Sequence, residues 1–212
     1  MSTPVIILGG GGHAKVLVEA LLANDAIIAG IVDPDQSLHG TKILGVPVVG
    51  GDEVVAAYPC AEVQLVNGIG SVKVPRTRLE LFERFSARGY IFATVVHPSA
   101  VIASDAELGE GAQVMAGTVI QPGSRIGRNA IVNTKASVDH DCLIGDHVHL
   151  APGVTLSGEV TVGAGTHVGT GATVIQGVRI GSGSMVGAGA LVLKDVPDGV
   201  TAMGVPAKVV QT

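Results

Sequence analysis

Residues 126–168 read IGRNAIVNTKASVDHDCLIGDHVHLAPGVTLSGEVTVGAGTHV. Within this stretch Val, Ile or Leu returns at every sixth position, and the same register runs without a miss over sixteen positions from Ile102 to Val192. A unit of six residues is too short for a helix pair or a propeller blade. The period therefore predicts an all-β domain, a parallel β-helix with three units in each triangular coil.

A smaller or β-branched residue stands four positions after the large aliphatic residue of each unit. Examples are Ala112, Thr118, Ser124, Ala130, Ala136, Cys142, Val148 and Val154. One large and one small inward residue per unit suit a narrow interior. The five Phe and Tyr residues of the chain all precede residue 93, as expected if a ring does not fit inside such a coil.

The first half of the chain follows a different pattern, in which apolar runs alternate with helix-like stretches. This alternation is typical of an α/β Rossmann-like domain with a parallel sheet. The predicted strands are 5–8, 27–32, 62–66 and 91–96, and the predicted helices are 13–24, 52–58 and 75–88. We therefore expect two domains, an α/β domain over residues 1–97 and the β-helix over residues 98–212.

The charge and apolar content exclude several classes of partner. The net charge of −5 argues against a basic face that binds nucleic acid or an anionic membrane. No apolar run approaches the roughly 20 residues of a membrane helix, and residues 1–4 lack the charged start of a signal peptide. We expect a cytoplasmic protein with reduced cysteines at Cys60 and Cys142, and no metal, because the seven histidines show no ligand-like pairing.

One corner of the predicted coil carries an unusual polar triplet. Val138 and Cys142 occupy inward positions, so residues 139–141, Asp-His-Asp, face outward. A histidine is the natural base near neutral pH, and a neighbouring carboxylate can orient its ring and stabilise the imidazolium. His140 and Asp141 are therefore candidates for proton transfer. Two further histidines of the repeat, His147 and His167, have no role that can be assigned from the sequence and are expected to be surface residues.

A glycine run lies between the first predicted strand and the first predicted helix. Residues 9–12 are all glycine, so their free N–H groups and the helix dipole predict a phosphate or pyrophosphate site. Gly9, Gly11 and Ala14 also satisfy G-x-G-x-x-A, and Asp33 ends the next strand. A NAD-dependent oxidoreductase is thus an alternative, although no second mononucleotide half is evident.

The repeat over residues 98–194 resembles that of the left-handed β-helix acyltransferases, and the left hand is implied by this resemblance alone. Together with residues 10–13 (GGGH), the segment 133–142 and the closing segment 204–208 (GVPAK), the whole chain resembles the sugar acyltransferases. This group contains the bacillosamine and perosamine N-acetyltransferases and the sialic acid O-acetyltransferases. The resemblance implies transfer of acetyl from acetyl-CoA to the 4-amino group of a UDP- or GDP-linked sugar.

The resemblance also implies roles for individual residues. His140 would be the general base, Asp141 its partner and Asn133 a neighbour of the same site. The residues implied to bind acetyl-CoA are His149, Gly158, Thr170, Ala188 and Gly189. Those implied to bind the nucleotide sugar are Gly10, Gly11, Gly12 and His13 at the phosphates, Asp33 at the base or ribose, and Gly70 in the loop after the third strand.

The resemblance further implies a homotrimer with sites at subunit boundaries. Direct attack on the thioester is favoured, because Cys142 is expected to be inward and a buried thiol is usually inert. A sialic acid O-acetyltransferase and a non-catalytic trimer that binds a nucleotide sugar remain open alternatives. Arg76 and Arg78 could pair with phosphate, but a solvated helix face is the favoured interpretation.

Overall fold

The computed structural model describes residues 3–71 and 76–210. Its N-terminal part is an α/β domain with five strands, two helices and two short 3₁₀ turns. These elements are β1 (Val5–Leu8), α1 (Gly12–Leu22), β2 (Ile28–Val32), the turn Gln36–Leu38, β3 (Lys42–Ile43), β4 (Val46–Gly50), the turn Asp52–Ala57, β5 (Gln64–Asn67) and α2 (Arg76–Ser86).

The sheet of this domain has the strand order β3-β4-β2-β1-β5, and all its pairings are parallel except that of β3 with β4. Because side chains alternate along a strand, β1 serves two cores. Val5 and Ile7 pack in the core that contains α1, whereas Ile6 and Leu8 pack with the aromatic side chains of α2. The predicted Rossmann-like α/β domain is confirmed.

Three predicted elements of this domain differ in detail. The helix predicted at 52–58 is a 3₁₀ turn, and residue 75, where the helix predicted at 75–88 begins, lies outside the described residues. The strand predicted at 91–96 splits in two. Phe92 forms only an isolated bridge with Leu65, while Val95–Val96 pairs with a strand of the β-helix. The split occurs where the chain leaves one sheet and enters the next.

The rest of the chain is a parallel β-helix, as predicted. Its strands are β6 (Val95–Val96), β7 (Val101–Ile102), β8 (Glu107–Leu108), β9 (Gln113–Val114), β10 (Val119–Ile120), β11 (Arg125–Ile126), β12 (Ile131–Val132), β13 (Ser137–Val138), β14 (Leu143–Ile144), β15 (His149–Leu150), β16 (Thr155–Leu156), β17 (Thr161–Val162), β18 (His167–Val168), β19 (Thr173–Val174), β20 (Arg179–Ile180), β21 (Met185–Val186), β22 (Leu191–Val192), β23 (Thr201–Met203) and β24 (Lys208–Val210). Each strand from β7 to β22 ends on the periodic aliphatic residue.

These strands form the three faces of a prism. Face 1 contains β7, β10, β13, β16, β19 and β22; face 2 contains β8, β11, β14, β17 and β20; face 3 contains β6, β9, β12, β15, β18, β21, β23 and β24. Partners in neighbouring coils are 18 residues apart, as in the pairing of Ile131 with His149. The small inward residues from Ala112 to Val154 that the sequence predicts are fully buried.

Three corners connect the faces, and each is defined by its residues in one coil. Residues 133–136 belong to corner 3–1, residues 139–142 to corner 1–2, and residues 145–148 to corner 2–3. The N-terminal domain packs on face 3 and on the two corners that border it, 2–3 and 3–1. Met115 joins the core around α1, and Phe82 of α2 lies edge-on to His147, with 5.5 Å between ring centroids.

No helix in the described part of the chain is long and apolar enough to cross a membrane.

Candidate active site

His140 and Asp141 form a hydrogen-bonded pair on corner 1–2. The imidazole Nδ1 lies 2.8 Å from Asp141 Oδ2, and both side chains are well exposed. Asp139 Oδ1 accepts the His140 backbone N–H at 2.8 Å, which fixes the turn. The hydrogen bond with Asp141 is the main cause that raises the pKa of His140, and Asp139 and Glu159 add to the shift by their charge. Nε2 is therefore the nitrogen left to accept a proton.

Gly158 forms the floor beneath this imidazole. It stands one coil beyond His140 on the same corner, and a Cβ at this position would overlap Nε2 and Cε1 of the ring. Gly158, which is expected to line the coenzyme groove, lies against the candidate base. The neighbouring thiol of Cys142 is fully buried, and burial raises its pKa to about 11, which makes it a poor nucleophile.

A second constellation lies on face 3 and corner 3–1, in a cleft of about 940 Å³ between the two domains. His149 Nδ1 is 2.9 Å from the carbonyl oxygen of Ser71, and its Nε2 is 3.1 Å from the side-chain amide of Asn133. These contacts assign the proton to Nδ1, which donates to Ser71, while Nε2 accepts from Asn133. Burial is the largest cause that lowers the pKa of His149, to about 3, so this ring is neutral.

His13 closes the cleft from the side of the α/β domain. Its Nε2 lies 2.8 Å from Gln113 Oε1 on face 3, and burial, helped by the charge of Arg78, lowers its pKa to about 4. Helix α1 begins here, and its N-cap, Gly11, supplies no side-chain hydrogen bond. The first N–H groups of α1 are therefore available to an anion at the mouth of the cleft.

Eight of the fourteen predicted site residues line the cleft. Those lining the cleft are Gly11, Gly12, His13, Gly70, Asn133, His149, Thr170 and Ala188. Gly10, Asp33, His140, Asp141, Gly158 and Gly189 are outside its lining. Asp33 accepts the backbone N–H of Gly10 at 2.6 Å and that of Asp35 at 2.8 Å, so its carboxylate holds the glycine turn. Asn133 is on a different corner from His140 in the same chain.

Arg78 is buried, which contradicts the expected solvated position. Its guanidinium donates to the carbonyl oxygens of Asn67, Ile69 and Asn129 at 2.8–3.2 Å. Burial lowers its pKa to about 9. Arg78 thus joins the loop after β5 to the β-helix, and it has no free donor face for a phosphate. The sequence could have predicted this burial, because Arg78, Phe82 and Phe85 have the spacing of one buried helix face.

His147 and His167 were expected at the surface, and this prediction is wrong. Both are buried, His147 beneath α2 and His167 in the cleft beside His149. The signal for His167 is its spacing: it follows His149 by one coil of 18 residues and so shares its face. Among the described residues, no group of three or more His, Cys, Asp or Glu side chains could hold a metal ion.

A smaller cleft of about 340 Å³ lies on the other side of the glycine turn. It is bordered by the ends of several strands and by α2, and Asp52 pairs with Arg84 at its edge. Since Gly9 and Ile69 follow the neighbouring parallel strands β1 and β5, this cleft stands at the carboxyl edge of the sheet, where open α/β sheets bind ligands.

Comparisons with known proteins agree with this architecture. Residues 4–85 match the PglD N-terminal domain, and residues 123–158 match the bacterial transferase hexapeptide (six repeats). PerB from Caulobacter crescentus, solved in complex with CoA and GDP-perosamine, is 44% identical; the match covers 98% of this chain and 97% of that chain, with a TM-score of 0.90. The acetyltransferase domain of PglB from Neisseria gonorrhoeae FA1090 is 36% identical, with coverage of 99% and 100% and a TM-score of 0.91.

Two curated proteins are similar over shorter segments. The GDP-perosamine N-acetyltransferase of Escherichia coli O157:H7 is 33% identical over 60% of this chain, and the UDP-N-acetylbacillosamine N-acetyltransferase of Bacillus subtilis (strain 168) is 41% identical over 53%. The matched segments span 56% and 51% of those relatives, about half of their length.

Fold and site define a two-domain transferase of the hexapeptide-repeat class. Within that class, the chain belongs to the family of perosamine and bacillosamine N-acetyltransferases.

Proposed function

We propose that this protein transfers the acetyl group of acetyl-CoA to the 4-amino group of a nucleotide-linked amino-deoxysugar. The observation that carries the proposal is the hydrogen bond between His140 Nδ1 and Asp141 at a glycine-floored corner. It leaves Nε2 as an exposed base with a raised pKa, which is the group that acyl transfer to an amine requires. PerB, the relative with the same two domains, was solved with CoA and GDP-perosamine.

The reaction proceeds by direct attack. The neutral amine of the sugar adds to the thioester carbonyl carbon, and His140 Nε2 takes a proton from the nitrogen as the C–N bond forms. The C–S bond then breaks, and the His140 imidazolium returns the proton to the sulfur of CoA, which leaves as the thiol. Asp141 holds the ring in the tautomer with the proton on Nδ1 and stabilises its charged form. No acyl-enzyme is needed, consistent with the buried Cys142.

The α/β domain is suited to the nucleotide part of the substrate. A pyrophosphate at the N-terminus of α1 meets N–H groups that lack a side-chain cap, and the helix dipole favours its negative charge. The neutral states of His13 and His149 mean that these rings contribute hydrogen bonds rather than charge. The sugar would extend from this point toward Asn133 along the cleft.

The proposed enzyme is a homotrimer whose sites are shared between subunits. In one chain the cleft is on corner 3–1 and His140 is on corner 1–2, so the two edges of face 1 each carry half of a site. The six strands of face 1 carry only uncharged outward side chains. These are Val101, Val119, Ser137, Thr155, Thr173 and Leu191. Around a threefold axis, face 1 would bring corner 1–2 of one copy beside corner 3–1 of the next.

A thiol-release assay tests the proposal directly. Acetyl-CoA is offered with UDP- and GDP-linked 4-amino-sugars and with free sialic acid, to wild type and to His140→Ala. Turnover of an amino-sugar nucleotide that is lost in His140→Ala, while the trimer is retained by light scattering, supports the proposal. Turnover with sialic acid alone would instead indicate an O-acetyltransferase, and no turnover with any acceptor would contradict both. Because acetyl-CoA is a cytoplasmic metabolite, the proposal also implies a cytoplasmic location.

A further inference from the structure

His167 differs from the other two histidines of the cleft in its hydrogen bonding. His13 is bonded to Gln113, and His149 has both ring nitrogens bonded to protein groups. His167 Nδ1 is buried and has no partner among residues 3–71 and 76–210. The residue is 7% exposed and lines the cleft, and its ring packs edge-on against His149 with 4.9 Å between centroids.

The missing partner of Nδ1 determines which nitrogen carries the proton. A proton on Nδ1 would be a buried donor without an acceptor, an arrangement that native proteins avoid more strictly than an unsatisfied acceptor. The proton is therefore on Nε2. Burial also lowers the pKa of His167, so the ring is neutral and carries this single proton.

The second nitrogen of the ring is Nε2. No hydrogen bond joins Nε2 to residues 3–71 or 76–210, and the His167 side chain lines the cleft. Its ring stands on β18 between His149 on β15 and Met185 on β21, one coil from each. Thr170 of the predicted coenzyme groove follows it by three residues and lines the same cleft.

We propose that His167 is a specificity-determining residue that donates a hydrogen bond from Nε2 to an oxygen of the substrate bound in the cleft. The acceptor is a carbonyl or phosphate oxygen, supplied either by acetyl-CoA or by the nucleotide sugar. The proposal rests on the proposed function, because it assigns a contact within the same substrate cleft. His149 cannot supply this donor, since its one N–H is already bonded to Ser71.

Two substitutions separate the hydrogen bond from packing. His167→Phe keeps an aromatic ring beside His149 but removes the donor, and it also removes the unpartnered Nδ1. We expect the Kd or KM for one ligand to rise by roughly five- to tenfold. The melting temperature should equal or exceed that of wild type. His167→Gln retains an N–H near the position of Nε2, so we expect partial rescue. A lower affinity for CoA would identify acetyl-CoA as the source of the acceptor oxygen, and a lower affinity for GDP or UDP would identify the nucleotide sugar.

His147→Phe is the matched control. His147 is a buried histidine outside the cleft, and its Nδ1 is 2.9 Å from the side-chain amide of Asn129. This substitution removes the shorter of the two contacts of the Asn129 amide and leaves the one to the Arg78 carbonyl oxygen, so we expect a lower melting temperature with unchanged ligand affinity. The opposite responses of the two variants would distinguish a ligand contact from a structural histidine.

Calorimetric titration with CoA, GDP and UDP decides the matter without relying on turnover. If wild type binds these ligands but acetylates no sugar, the proposed function fails while the role of His167 is still measured. Unchanged affinities for all three ligands in His167→Phe, or a fall in affinity that only follows a fall in stability, would overturn the proposal. A ¹⁵N-imidazole spectrum that places the proton of His167 on Nδ1 would also overturn it.

Discussion

The imidazole of His140 lies directly over Gly158, the residue one coil further along the same corner. The approach is so close that a Cβ at position 158 would occupy the space of Nε2 and Cε1. The backbone of the β-helix thus sets the height of the candidate base, and Asp141 sets its rotation. A side chain at position 158 would therefore force the ring of His140 to move.

Gly158→Ala should reduce catalysis by displacing the ring of His140. We expect kcat to fall by at least about tenfold, because a displacement of about 1 Å at a reacting group is costly. The measurement is kcat with the sugar identified in the acceptor panel, together with trimer content. Gly158→Ala combined with His140→Ala provides the control. If the glycine acts through the ring, the double variant is no slower than His140→Ala, and additive losses would contradict the prediction.

Asp141→Asn should change both the rate and its pH dependence. Activity needs neutral His140, so it rises with pH through the pKa of this ring. Because the bond to Asp141 is the main cause of the raised pKa, its loss should move the acidic limb of kcat/KM to lower pH. The pH-independent maximum of kcat/KM should fall by about 10- to 100-fold, because the imidazolium loses the carboxylate that stabilises it.

Asp105→Asn is the matched control for this profile. Asp105 stands on the same corner two coils earlier, where its carboxylate accepts the backbone N–H of Gly123 at 3.0 Å. It does not contact His140, so its substitution should leave the acidic limb in place. A shift of equal size in both variants would show that Asp141 has no special relation to the base.

The β-helix could be predicted from sequence because its interior demands an aliphatic residue at the same place in every unit. Ile102 to Val192 satisfy that demand without exception, and the same register predicted that Cys142 is inward. The outward position of His140 followed from the register as well. Local periodicity was sufficient here because each strand has only two residues and pairs with the coil 18 positions away.

The environment of face 3 could not be predicted in the same way. His147 and Arg78 are buried by contact between the two domains, and His167 is buried in the cleft beside His149; nothing within one repeat specifies these surroundings. Asn133 precedes His140 by about one six-residue unit, which places the two residues on neighbouring corners, 3–1 and 1–2. The buried residues carry signals only when the 18-residue coil and the buried face of α2 are considered together.

Acidification between pH 7 and pH 5 should destabilise the folded protein. Burial lowers the pKa of His13 to about 4 and that of His149 to about 3, whereas both would titrate near 6.5 in the unfolded chain. Below pH 6.5 the unfolded state therefore binds more protons, and each histidine removes up to about 1.4 kcal/mol of stability per pH unit until its folded pKa is reached.

Urea unfolding at fixed protein concentration measures this effect. His149→Gln should be less stable than wild type at pH 7, because the contacts to Ser71 and Asn133 change, but its stability should fall less steeply toward pH 5. The difference between the two slopes cancels contributions from other groups, including His140. Parallel slopes, or a wild type that gains stability on acidification, would contradict the assignment of a buried neutral ring.

Arg78→Met should weaken both the fold and the binding of the nucleotide sugar. The substitution leaves the carbonyl oxygens of Asn67, Ile69 and Asn129 without their donor, so we expect a loss of about 2–4 kcal/mol in the free energy of unfolding. The loop after β5 lines the cleft through Gly70, and its release should raise KM for the sugar nucleotide more than KM for acetyl-CoA.

Arg76→Met separates this effect from a simple loss of positive charge. Arg76 begins the same helix two residues earlier and is exposed, so its substitution should change stability by no more than about 0.5 kcal/mol. Denaturant unfolding and the two KM values are measured on both variants. If Arg76→Met raised KM as much as Arg78→Met, the arginines would act on the phosphates by charge; a change confined to Arg78→Met assigns the effect to the buried contacts between loop and β-helix.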